Sequence, residues 1–171
     1  RPFVAADAIA VSQVALEAWR FTYQAIYEEA VIASFVQTHY APVHLAALVS
    51  QMQSGHMFFH VALHQEQVVG YCHLGFTPRG AELFRLYLRP LYIGCGIGWA
   101  LLQQGEAFVL AHGLDGYFCF VHHQNEVGKR FYLRRGFRHV AAQDREEEEY
   151  MEKSFAEEKP GPDSCERESE L

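Results

Sequence analysis

Cysteine is scarce in this sequence, and it does not occur in the spacings that metal or disulfide sites need. The four cysteines, Cys72, Cys95, Cys119 and Cys165, show no CxxC spacing. We therefore expect reduced thiols and a cytoplasmic protein. No apolar run approaches the roughly 18 residues of a membrane-spanning helix, so we expect no membrane partner.

Signatures of metal and nucleic-acid binding are also missing. None of the ten histidines belongs to an HExxH motif or a Cys/His cluster, so we expect no metal, with a bound ion as the less favoured alternative. The formal net charge of -7 argues against nucleic acid as a partner. The same charge weakly favours a cationic ligand.

The sequence does contain enough apolar residues for one domain with a sizeable core. It has 171 residues, of which 50% are hydrophobic and 14% aromatic. Helical spacing over 7–19, with Asp7 as the predicted N-cap, is followed by two more helical zones separated near Pro42. Strand patterns then cover 57–63, 68–75 and 82–88.

The second half alternates between strand and helix patterns. A helix is predicted over 96–112, a strand over 117–123, and a short helix over 126–135 that Asn125 can cap and Gly136 can end. A closing pair of strands follows. This order predicts an α/β (α+β) domain with a mixed, mostly antiparallel sheet and helices on both faces.

The domain boundary is placed where periodicity stops. Residues 1–155 are predicted to form the single domain. Residues 156–171, with the sequence AEEKPGPDSCERESEL, have no periodicity and are predicted to be a disordered acidic tail.

Glycines at alternate positions 94, 96 and 98 lie between a predicted strand and a predicted helix. They leave backbone N–H groups bare at a helix N-terminus, which favours an anion such as a phosphate. Trp99 stands where the dinucleotide-binding GxGxxG motif needs glycine, and no P-loop lysine follows. A nucleotide-dependent oxidoreductase is therefore disfavoured, and a tight packing turn is the structural alternative.

Together with its surroundings, this turn resembles the acetyl-CoA signature [QR]xxGx[GA] of the GNAT superfamily of N-acetyltransferases. The matching segment is IGCGIG at 93–98, and NEVGKRFYLRRGF at 125–137 resembles the family's N-x-x-A-x-x-[FL]-Y-x-x-x-G-F motif. The first helical region and the EEEEYMEKSF segment are similar to spermidine/spermine-type members. Two residues depart from the pattern: Ile93 replaces Gln or Arg, and Gly128 replaces Ala.

The resemblance implies the GNAT fold over nearly the whole domain and acetyl-CoA as the acetyl donor. It implies that Leu86 to Leu88 pair with the pantetheine arm and that the Leu88 N–H stabilises the oxyanion. The cofactor-binding residues implied in this way are Leu86, Tyr87, Leu88, Ile93, Gly94, Cys95, Gly96, Ile97, Gly98, Trp99, Asn125 and Tyr132.

Acetyl transfer to an amine needs a base and an acid. A lysine-like amine has a pKa of about 10.4, so a base must take its proton, and the departing thiolate benefits from a proton donor. By resemblance, Glu82 is the predicted base and Tyr132 the predicted acid. A solvated carboxylate and a packed aromatic ring are the respective structural alternatives.

The acceptor pocket is predicted from Trp19, Tyr23, Tyr27 and Glu82, with packing in the core as the alternative for the aromatic residues. Glutamates 28–29 and 146–149 could attract a cationic amine, although such charge runs are usually solvated.

The predicted function is acetyl-CoA-dependent N-acetylation of a primary amine of a small molecule, with polyamines favoured, by direct attack in a ternary complex. The alternatives are a catalytically silent acyl-CoA-binding sensor or scaffold, and an acetyltransferase of peptide or protein amines. Relatives commonly form dimers, so a homodimer is possible.

Overall fold

The computed structural model describes residues 1–155, which contain five α-helices and six strands. The predicted tail and Cys165 lie outside the described residues. In chain order the elements are α1 (Ala8–Tyr23), α2 (Glu29–His39), α3 (Pro42–Gln53), β1 (Met57–His64), β2 (Gln67–Thr77), β3 (Gly80–Leu88), α4 (Ile97–Ala111), β4 (Gly116–His122), α5 (Glu126–Leu133), β5 (Arg138–His139) and β6 (Glu148–Ser154).

The six strands form one sheet in the order β1-β2-β3-β4-β6-β5. All neighbouring pairs are antiparallel except β3 and β4, which are parallel. The helix α4 connects these two parallel strands, as a crossover between parallel strands requires. The predicted mixed, mostly antiparallel sheet is therefore confirmed.

Helices cover both faces of the sheet because successive strand residues point to opposite sides. On β2, Cys72 and Leu74 pack in a core under α4 with Leu102, whereas Tyr71 packs in a second core under α1 and α3 with Val14. Burying each large apolar side chain contributes about 1.5–3 kcal/mol, so each face supplies its own share of stability.

A bulge in β3 decides which of its residues face each side of the sheet. Arg85 pairs with His73, but the next pair is Leu83 with Leu74, so Phe84 has no partner across the strands. The extra residue shifts the alternation along β3. As a result, Tyr87 packs against the core beneath α1.

Two local predictions need correction. Asp7 occupies the N-cap position of α1 as predicted, but its side chain does not cap the helix. Its carboxylate instead accepts the Val4 N–H at 2.9 Å and pairs with the Arg1 guanidinium at 2.7 Å. The strand predicted around residues 137–142 shrinks to β5, because the chain turns into a 3-10 helix after Val140.

Candidate active site

The glycine turn has the backbone geometry that an anion site needs. Gly94 and Gly96 have φ angles of +86° and +82°, a region that L side chains rarely adopt. Gly96 is the N-cap of α4, and no side chain caps the helix. The N–H groups of the first turn of α4 are thus available to a negatively charged group, and the helix dipole favours it.

β3 and β4 diverge beyond the start of their pairing. The residues paired between the two strands are Glu82 and Phe118, although both strands continue for several residues. The Arg89 N–H donates to the Val69 carbonyl of β2 at 2.8 Å. Because N–H directions alternate along a strand, the Leu88 N–H points to the opposite edge, into the gap between β3 and β4.

The gap opens into a cavity of about 760 Å³. The donor side, where the acetyl donor is expected, consists of residues from the end of β3, the glycine turn and α5. The acceptor side, where the amine is expected, consists of residues from α1, α2, the end of β4 and the segment 145–148. Of the residues predicted for the site, those that line the cavity are Trp19, Tyr23, Tyr27, Leu86, Tyr87, Leu88, Ile93, Gly98, Asn125 and Tyr132.

The remaining predicted residues do not line the cavity, although most border it. Gly94, Cys95, Gly96 and Ile97 form the exposed turn and the start of α4 next to Gly98. The indole of Trp99 packs under the Arg135 guanidinium, which lies 4.5 Å from the ring centroid. The backbone N–H groups of this turn, and not the Trp99 indole, are therefore placed to meet a ligand.

Tyr132 reaches the cavity from α5 and is only 9% exposed. Burial, together with the nearby Cys119, Cys72 and Tyr23, raises the pKa of its hydroxyl well above the usual value of 10.0. The hydroxyl therefore keeps its proton at neutral pH, as a proton donor to a leaving thiolate must.

Asn125 caps α5 as predicted, and the cap explains the unusual glycine at 128. The Asn125 Oδ1 accepts the Gly128 N–H at 2.9 Å. A Cβ at residue 128 would lie 2.8 Å from the Asn125 Nδ2, closer than atoms can pack. Gly128 thus allows the Asn125 amide to sit tightly over the helix N-terminus while it borders the cavity.

Glu82, the predicted base, does not line the cavity. It occupies the last paired position before β3 and β4 diverge, on the opposite face from Ala81 and Leu83. Burial raises the pKa of its half-buried carboxyl, against the opposing effect of Arg145 and Arg79. The carboxyl lies near the floor of the gap rather than in its wall.

Aromatic side chains build the acceptor side. Trp19 stacks on Phe35 with ring centroids 4.1 Å apart, and its Nε1 donates to the Tyr87 hydroxyl at 3.2 Å. The Tyr87 and Tyr40 hydroxyls are also 3.2 Å apart. Burial raises the pKa of Tyr23 to about 12, so its hydroxyl is neutral at pH 7.

Polar residues that the sequence patterns did not assign to the site complete the acceptor side. His122 lines the cavity, although its type and spacing matched no motif. Glu146, Glu147 and Glu148 do so as well, whereas Glu28 and Glu29 do not. The acidic run was the available signal, and only its position in the fold distinguishes it from a solvated face.

Within residues 1–155, no helix has the length and apolar composition to cross a membrane. Over the same part of the chain, no group of three or more His, Cys, Asp or Glu side chains could hold a metal ion.

Comparisons with known proteins agree with this geometry. The profile of the acetyltransferase (GNAT) family matches residues 16–137. Spermidine N(1)-acetyltransferase from Thermoplasma acidophilum is 35% identical over 127 residues, which are 74% of this chain and 79% of that protein.

Solved structures give the same result. The crystal structure of PaiA N-acetyltransferase from Thermoplasma acidophilum, in complex with coenzyme A, superposes with a TM-score of 0.85 at 31% identity and covers 91% of this chain and 97% of the other. A GCN5-related N-acetyltransferase from Rhodopseudomonas palustris shares the fold, with a TM-score of 0.70 at 19% identity over 90% of this chain and 93% of the other. The chain belongs to the GNAT family of acetyltransferases, enzymes that take the acetyl group from acetyl-CoA.

Proposed function

We propose that this enzyme acetylates a primary amine of a small cationic molecule, with a polyamine as the favoured acceptor, by direct attack in a ternary complex. The observation that carries the proposal is the acidic rim of the cavity, where Glu146 to Glu148 stand beside an aromatic wall. Carboxylates attract ammonium groups, and aromatic faces accommodate both methylene chains and cations. The similarity to a spermidine N(1)-acetyltransferase supports the same acceptor class.

The donor half of the proposal rests on backbone groups. The N–H groups at the start of α4 would hold the pyrophosphate of acetyl-CoA, and the gap beside Leu86 to Leu88 would take the pantetheine arm. The Leu88 N–H, which points into that gap, would donate a hydrogen bond to the carbonyl oxygen as negative charge develops on it. Acetyl-CoA supplies an activated thioester in this scheme.

Two side chains would move the protons. Tyr132 lines the cavity with its proton in place and would donate it to the departing sulfur. Glu82 would accept the proton of the amine through water, since its carboxyl lies near the floor of the gap and burial raises its pKa. Replacing Glu82 by Gln should lower kcat by about 10²-fold, and an unchanged kcat would exclude Glu82 as the base.

The decisive experiment measures thiol release from acetyl-CoA with spermidine, spermine, putrescine and a lysine-containing peptide, and identifies the products by mass spectrometry. Acetylated polyamine is the expected product. Turnover with the peptide alone would favour a protein acetyltransferase, and acetyl-CoA binding without turnover would favour a silent sensor. A homodimer and a cytoplasmic location stay predictions, and light scattering of the purified protein tests the first.

A further inference from the structure

A directed chain of hydrogen bonds crosses the acceptor side of the cavity. The Nδ1 of His122 accepts the backbone N–H of Gln124 at 3.2 Å, so the ring proton of the neutral imidazole lies on Nε2. This Nε2 is 3.1 Å from the Tyr27 hydroxyl, which in turn donates to the Glu147 Oε2 at 3.2 Å. Each group therefore has a defined role as hydrogen-bond donor or acceptor, and this series of hydrogen bonds ends at the Glu147 carboxylate.

The backbone of Glu147 is held by the neighbouring histidine. The Glu147 carbonyl accepts the N–H of His123 at 2.9 Å and the Nδ1–H of the same residue at 3.0 Å. The adjacent histidines at the end of β4 thus fix both the main chain and, through Tyr27, the side chain of this one glutamate.

The other two carboxylates of the rim are placed differently. Glu148 lies 3.5 Å from the Arg145 guanidinium, which partly neutralises it. Glu146 and Glu147 are both exposed, but no side chain within residues 1–155 bonds to the Glu146 carboxylate. Among the described residues, Glu147 is therefore the rim carboxylate that is oriented by a hydrogen bond from Tyr27 and forms no ion pair with a cationic side chain.

We propose that Glu147 is the carboxylate that receives an ammonium group of the acceptor, and that Tyr27 and His122 are positioning residues that aim it. The Tyr27 hydroxyl donates to Oε2 of Glu147, which leaves Oε1 of the same carboxylate for the ammonium group of the substrate. A carboxylate that is already oriented loses less conformational entropy when it binds than a mobile one. The inference rests on the proposed function, because it names the residue that selects the cationic acceptor.

The test compares variants by their steady-state kinetics with spermidine as the probe, and by calorimetric titration of acetyl-CoA. Glu147→Gln should raise KM for spermidine about tenfold, since a charge-assisted hydrogen bond is lost. Its kcat and its affinity for acetyl-CoA should change little. Glu146→Gln removes the same charge from the same rim, and for this variant we expect KM for spermidine to rise only about twofold.

The positioning role has its own readouts. Tyr27→Phe should raise KM for spermidine about threefold, and it should have no further effect when Glu147→Gln is already present. His122→Ala should act like Tyr27→Phe. His122→Gln should restore a KM close to that of the unmodified enzyme, because its amide can donate to the Tyr27 hydroxyl from nearly the same place.

Three results would overturn the inference while leaving the proposed function standing: equal effects of Glu147→Gln and Glu146→Gln, an undiminished effect of Tyr27→Phe beside Glu147→Gln, or a His122→Gln enzyme no better than His122→Ala. If the unmodified enzyme binds acetyl-CoA but acetylates no polyamine, the proposed function itself is wrong and the inference falls with it.

Discussion

The donor side of the cavity comes from the end of β3, the glycine turn and α5, whereas the acceptor side joins α1, α2, the end of β4 and the segment 145–148. The donor side presents mainly backbone groups, among them the N-terminal N–H groups of α4 and the free edge of β3. The acceptor side presents side chains, most of them aromatic or acidic.

This contrast explains why the donor side has a local sequence signature, whereas the acceptor side has none. Backbone N–H groups are exposed only where side chains are absent, so a donor site of this kind requires glycines at set spacings. An acceptor wall made of side chains can use many residue types from distant segments. Its composition therefore leaves no local pattern.

The largest effect is expected where the two sides meet. Tyr132→Phe removes the hydroxyl that we propose as the proton donor, and kcat should fall by about 10²-fold or more with the fold intact. Tyr71→Phe is the matched control, since it removes a fully buried hydroxyl that bonds to no polar group of residues 1–155 and does not line the cavity. Its kcat should not change. A Tyr132→Phe enzyme with undiminished kcat would show that the acid is another group.

A buried histidine in the sheet under the acceptor side makes the stability of the protein depend on pH. His73 stacks on Phe59, and neither of its ring nitrogens has a hydrogen-bond partner in the part of the chain that the structure describes. Burial lowers the pKa of His73 from 6.5 to about 3. Between pH 6.5 and about pH 3, His73 binds a proton in the unfolded chain but not in the folded one. The free energy of unfolding is therefore highest above the unfolded pKa, and it decreases as the pH falls below that value. From pH 7 to pH 5 the free energy of unfolding should drop by about 2 kcal/mol because of His73.

Urea unfolding at the two pH values measures this loss. His73→Phe keeps an aromatic ring in the stack but cannot be protonated, and it should show a pH dependence smaller by the same amount. Equal losses in the two proteins would contradict the low pKa of His73.

The glycine turn provides the next test. Gly96→Ala places a Cβ on a residue with φ of +82°, at a cost of about 1–2 kcal/mol, and the turn should relax away from its anion-binding shape. Acetyl-CoA affinity should fall about tenfold by calorimetry. Gly113→Ala introduces the same strain, at φ of +73°, just after α4 and away from the turn. It should lower stability and leave the affinity unchanged, and equal losses of affinity would argue against an anion site at Gly96.

The smallest expected effect concerns the residue that departs from the family signature. Ile93 is 40% exposed and lines the cavity. Ile93→Gln would add a donor beside the backbone N–H groups. A hydrogen bond to a charged phosphate contributes about 1.5–3 kcal/mol, and ordering the long Gln side chain offsets about 1–2 kcal/mol of that gain. Acetyl-CoA should bind about threefold more tightly. An unchanged dissociation constant would mean that the backbone groups alone satisfy the phosphates.

Local patterns in the sequence were sufficient for the order of elements and for the position of the glycine turn before α4. Periods of 2 and 3.6 residues located nearly all helices and strands, because each period follows from the geometry of one element. The Asn125 cap and the left-handed Gly136 after α5 were also predicted, and both are confirmed. These features depend on neighbours within a few residues.

Contacts between distant segments were decided by the tertiary structure alone. Tyr27 meets His122 and Glu147, which are 95 and 120 residues away in the chain, only because α1 and α2 pack beside the end of β4. The bulge at Phe84 and the divergence of β3 from β4 likewise leave Glu82 at the floor of the gap and out of its wall. Register and divergence depend on how whole elements pack, so no short stretch of sequence encodes them.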